Sequence, residues 1–127
     1  MKSRNWLISA SSLILLALLV LSSVQAKDEP EELNGEEVEI MDILQNAAAY
    51  EGKMVVIEGM IETECPSGCW FIVNDATGSV YVDILPSNFV IPQKRGEDAK
   101  VYGEVVVKDG DPMIIGKMVQ ISGEIYQ

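Results

Sequence analysis

Apolar residues change their spacing twice along the chain. Trp6 to Leu21 is apolar apart from a few serines and carries no charge. From Val38 to Tyr50 the apolar side chains Ile40, Ile43, Leu44 and Ala47 stand at i, i+3, i+4 and i+7, one face of an amphipathic helix. Acidic residues near its start suit the helix dipole, and Gly52 is placed to end it. Beyond Lys53 the period falls to two, or the apolar runs become continuous, which predicts strands. Five are expected: Lys53–Thr63, Cys69–Asp75, Ser79–Leu85, Ala99–Gly110 and Met113–Ile125. "DATG" (Asp75–Gly78) is a turn that makes the second and third strands a hairpin, and "DGDP" (Asp109–Pro112) is a turn before the fifth. Pro86–Asp98, with two prolines, an Asn and a Gly, leaves room only for a short helical turn.

Gly59, Gly103 and Gly116 interrupt the first, fourth and fifth strands. Glycine inside a strand marks a bulge or sharp bend. Five short strands able to coil predict a mainly β fold, a small OB-like barrel with one N-terminal helix. An SH3-like barrel or open sandwich is the alternative. Residues 38–127 form the expected domain, large enough to bury one modest core.

The first 26 residues have a different chemistry. Lys2 and Arg4 precede the apolar run, and Val24-Gln25-Ala26 offers a small-residue cleavage site. That order is the pattern of a secretory signal peptide, or of an anchor if it is retained. The run is shorter than the roughly 20 residues that comfortably span a bilayer. Residues 27–37, "KDEPEELNGEE", read as an acidic spacer. The expected location is therefore extracytoplasmic, whether secreted, periplasmic or membrane-tethered, with membrane contact only through the N-terminal segment.

Charge narrows the partners. The chain has nine basic and twenty acidic residues, net −11. Loss of residues 1–26 removes Lys2 and Arg4 and no acid, which leaves −13. Nucleic acid is an unfavourable partner for such a surface, because affinity for it rests on Lys and Arg meeting phosphates. The partner is expected to be a small molecule or a protein. There is no histidine. Histidine-dependent acid–base catalysis, histidine metal ligation and the Ser-His-Asp and Cys-His schemes are all excluded.

The stretch "GKMVVIEGMIETECPSGCW" resembles a family of exported prokaryotic proteins known as a domain of unknown function. The resemblance rests on Gly52, Lys53, Val55, Ile57, Gly59, Ile61, Cys65, Gly68, Cys69 and Trp70. It continues through Phe89 and Pro92 to Val101, Gly103 and Val105. It implies an OB-like fold and export, and brings no activity with it.

Cys65 and Cys69, the two cysteines of the chain, lie between the first two strands. Export favours a disulfide that pins this loop and presents Trp70. Thiol redox chemistry is an alternative, although the spacing is not C-x2-C and Glu62 and Glu64 nearby would raise a thiol pKa. A soft ion such as Cu(I) held by Cys65, Cys69 and Met60 is another. No cofactor is otherwise implied. Trp70, Phe71, Tyr81 and Tyr102 are candidates for a stacking platform of the kind OB folds use. Neighbouring strand residues face opposite ways, so one of Trp70 and Phe71 belongs to the core. The expected role is a binding or accessory module rather than an enzyme, with nucleic-acid binding a third reading by fold analogy alone.

Overall fold

The computed structural model describes residues 35–127. The expected signal peptide or anchor and residues 27–34 of the expected spacer lie outside the described residues. Glu36 and Glu37, assigned by pattern to the spacer, instead form a strand, β1 (Glu36–Glu37), paired in parallel with Val55 and Val56 of β2 (Met54–Glu64). Both side chains are exposed, so this pairing is backbone only and leaves no hydrophobic trace.

The expected single helix is broken in two, α1 (Ile40–Gln45) and α2 (Ala47–Tyr50), because Asn46 leaves helical geometry at φ −129° and ψ 40°. Ile40 and Ile43 are fully buried, while Leu44 on the same predicted face stays exposed. Glu39 gives α1 no side-chain cap. The cap comes from the distant "DATG" turn. Asp75 Oδ2 accepts the Ile40 N–H at 2.8 Å, and Thr77 Oγ1 accepts the Met41 N–H at 3.1 Å. The first turn of the helix is thereby tied to the barrel.

β2, β3 (Trp70–Asn74) and β4 (Ser79–Asp83) form an antiparallel meander. β5 (Asp98–Lys108) and β6 (Asp111–Ile121) form a long hairpin around Asp109–Gly110. β4 then pairs with β6 in parallel, Val82 opposite Ile114 and Asp83 opposite Ile115. β5 pairs back onto β2 from Met54–Glu104 to Met60–Asp98. The path β2-β3-β4-β6-β5 and back to β2 closes the expected five-stranded OB barrel. At Gly103, where the β5–β6 register shifts, a Cβ would stand 2.5 Å from both Ile114 Cγ2 and the Ile115 carbonyl oxygen. The strands can cross that closely only without a side chain. The β2 bulge falls between Ile61 and Thr63 rather than at Gly59.

The second to fifth predicted strands all end early, at Asn74, Asp83, Lys108 and Ile121. β4 stops at Asp83, because Ile84 turns at φ −112° and ψ −3° into a 3-10 turn, Leu85–Ser87, with Pro86 inside it. The fifth predicted strand is really β6 and a returning strand, β7 (Glu124–Tyr126), reversed at Ser122–Gly123, where φ is 51° and 80°. Inside the barrel Phe71, Val73, Val80, Val82, Val101, Val105 and Ile114 alternate with outward neighbours, and Ile40 and Ile43 join the same cluster. Among the described residues no polar or charged residue is buried.

Candidate functional site

Cys65 to Cys69 connects β2 to β3. The Cys65 N–H donates to the Trp70 carbonyl at 2.9 Å, and the Gly68 N–H to the Cys65 carbonyl at 2.8 Å. The loop is also fastened to the connector that follows β4. Ile91 N–H donates to the Gly68 carbonyl at 3.1 Å, Ile84 N–H to the Cys69 carbonyl at 3.2 Å, and Gln93 Nε2 to the Pro66 carbonyl at 2.7 Å. Gly68 has φ +74°, and a Cβ there would collide with the Ile91 carbonyl oxygen. The loop shape is thus held by backbone contacts on both sides.

The expected disulfide is not formed. Both cysteines are free thiols, with their sulfurs 2.7 Å apart, against about 2.05 Å in a bonded pair. The reduced sulfurs are satisfied by hydrogen bonds instead. Cys69 Sγ donates to Cys65 Sγ, and Ser67 Oγ lies 3.1 Å from Cys65 Sγ and 3.8 Å from Cys69 Sγ. Donation by Cys69 and Ser67 stabilises the Cys65 thiolate and brings that thiol down to about 6. The Cys69 thiol moves the other way, pushed up by its hydrogen bond to Cys65 and by burial.

Glu62 and Glu64 do not act on the thiols as their place in the sequence implies. The Glu64 carboxylate is taken by the backbone N–H groups of Lys94 and Arg95, at 2.9–3.0 Å. Glu62 Oε2 accepts from the Ser79 hydroxyl at 3.1 Å. Ser67 is the residue that sequence reasoning missed. Its signal is a hydroxyl two positions from each cysteine.

Met60 does not join the sulfurs. It pairs with Asn74, four residues along β3 from Trp70, or ~13 Å at ~3.3 Å per residue. The soft-metal alternative is left with two sulfur donors. Among the described residues, no group of three or more His, Cys, Asp or Glu side chains gathers at one point.

The four aromatic candidates divide. Trp70 and Tyr81 stack on the outer face of β3 and β4, with ring centroids 5.4 Å apart and planes at 27°. Phe71 points inward and is completely buried. Tyr102 lies on β5, paired with Val56 and Met118, and β5 touches neither β3 nor β4 in the sheet. Of the four candidates, the fold brings only Trp70 and Tyr81 together. Burial, then the charges of Asp83 and the two cysteines, push the Tyr81 hydroxyl up, which places the dithiol and the stacked rings in one electrostatic neighbourhood. Leu85 and Val90, 64% and 56% exposed, flank the residues that hold the loop.

No protein-family model matches the chain, and no curated protein matches it by sequence. Its fold is similar to a chain of the Stn1–Ten1 complex of S. pombe, with a TM-score of 0.52 at 13% identity over 70% of this chain and 77% of that one. The hypothetical protein YgiW of E. coli aligns at a TM-score of 0.48 and 20% identity, over 76% of this chain and 99% of that one. At these identities the likeness concerns the fold alone.

Proposed function

We propose that this chain is an exported OB-fold binding module that takes a neutral oligosaccharide on the face formed by β3 and β4. The observation that carries the reading is the stacked Trp70–Tyr81 pair, Tyr81 exposed and Trp70 half-buried, beside the loop that OB folds use for oligonucleotides and oligosaccharides. Asp83 borders the rings and the whole chain is strongly acidic, so a sugar suits the surface better than a phosphate backbone does. The basic, apolar and small-residue order of residues 1–26 supports export.

In the form lacking residues 1–26, Trp70 is the sole tryptophan, so indole fluorescence reports this face alone. Titration with neutral β-linked oligosaccharides is expected to shift that emission. Tyr81→Ala, followed by fluorescence, and Trp70→Ala, followed by calorimetry, are each expected to weaken binding about tenfold, the scale of one lost stacking contact. Unchanged affinity in both variants would sink the reading. Binding to a single-stranded oligonucleotide that falls steeply with salt would replace the sugar with nucleic acid.

A further inference from the structure

Stacking a ligand on Trp70 and Tyr81 makes no use of two free sulfurs, yet the adjoining loop brings them to 2.7 Å. Bond formation needs an approach of less than about 1 Å from there. The loop does not have to refold to allow it, because Cys65, Gly68 and Cys69 are already held by backbone hydrogen bonds to Trp70, Ile91 and Ile84. The two sulfurs are not equivalent. Cys65 Sγ has both Cys69 and Ser67 as neighbours within hydrogen-bonding reach, whereas Ser67 stands farther from Cys69. Cys65 retains only 9% of its surface, while Pro66 and Ser67 at the loop tip are exposed. With Cys65 nearly covered and Cys69 half-buried, the pair favours a slender reactant over a bulky one.

We propose that Cys65 and Cys69 are a dithiol–disulfide couple that reduces a slender disulfide, with Cys65 as the attacking sulfur and Cys69 as the resolving one. The Cys65 thiolate attacks one sulfur of R–S–S–R. That disulfide breaks, a mixed disulfide forms on Cys65, and the first R–S⁻ leaves and takes up the proton that Cys65 released to solvent. Cys69 then gives its proton to solvent and attacks the Cys65 sulfur. The second R–S⁻ leaves and is protonated in turn. Two electrons pass from the protein to the disulfide, and the products are two R–SH and a Cys65–Cys69 disulfide. The couple rests on the loop alone and not on the ligand assigned to the β3–β4 face.

The reduced full chain, treated with 2-hydroxyethyl disulfide at pH 7, quenched with acid, alkylated and weighed intact, tests the couple. The wild type is expected to lose two hydrogens and retain no adduct. Cys69→Ser is expected to keep one hydroxyethylthio group, mapped to Cys65. Cys65→Ser is expected to react at least about tenfold more slowly, because rate follows the thiolate fraction. Peptide mapping of wild type after brief iodoacetamide treatment gives the same answer without substitution, with Cys65 labelled first. A wild type that stays reduced, equal rates for the two variants, or a pair reducible only after unfolding would each overturn the proposal.

Discussion

Ser67 does more for the thiols than either of the acidic residues that precede them. Its hydroxyl, with the Cys69 thiol, holds the Cys65 thiolate, while Glu62 and Glu64 spend their carboxylates elsewhere. Ser67→Ala removes one of the two donors. The midpoint for alkylation of Cys65, about 6 in the wild type, is expected to rise in the variant, so labelling at pH 6 slows while labelling at pH 9 is unchanged. A pH–rate profile with iodoacetamide checks this, and an unmoved midpoint would assign the whole effect to Cys69. At this scale the sequence shows the sulfur pair and the rule that Trp70 and Phe71 diverge. It does not show which way each side chain goes, because strand alternation leaves the face undecided until a partner covers one side. Nor does spacing reveal that Glu64 turns toward backbone groups thirty residues away.

At the level of elements, the β3–β4 turn does two jobs. Asp75 closes the turn by accepting from Thr77 N–H, Thr77 Oγ1 and Gly78 N–H, and with its other oxygen it caps α1. Burial pushes the Asp75 carboxyl up, but the hydrogen bonds from Ile40, Thr77 and Gly78 outweigh it and hold the group below its ordinary value. A carboxyl with a depressed folded pKa stabilises the fold above its unfolded pKa of ~3.9, and that contribution fades as pH falls through the folded value. Asp75→Ala is therefore expected to cost about 1–2 kcal/mol at pH 7. The gap from wild type should narrow in urea melts taken below pH ~4. An equal gap at both pH values would assign the loss to packing rather than to the carboxylate. Number and order of the main strands are legible from period and glycine placement. The break at Asn46 and the reversal at Ser122–Gly123 are not. Apolar spacing runs straight through both, Ala47 on one side and Ile125 on the other, and it outweighs a single Asn or Ser-Gly signal.

Over the whole molecule, closure of the barrel follows from strand count, but the parallel β4–β6 seam leaves no local mark, since the paired residues stand about thirty positions apart in the chain. That long-range arrangement is what moves Tyr102 away from Trp70 and Tyr81. Net charge acts at the same scale. With twenty acids against nine bases, the molecule repels anions and attracts cations within a Debye length of ~10 Å at 0.1 M salt. Cystamine, a dication, is expected to oxidise the dithiol faster than dithiodiglycolate, a dianion of similar width, at low ionic strength. The ratio should collapse in 1 M NaCl, where the Debye length falls to ~3 Å. Stopped-flow rates at two salt concentrations decide it, and a salt-independent ratio would assign the preference to fit rather than field. Strand β1 has a consequence of orientation. It enters the barrel against Val55 and Val56, near the start of β2, whereas the thiol loop leaves from Glu64 at the other end. Up to ~26 Å of extended strand separates them at ~3.3 Å per residue. A bead or sensor chip that grips the N-terminal side of this domain therefore leaves the sulfurs and the stacked rings facing the solution.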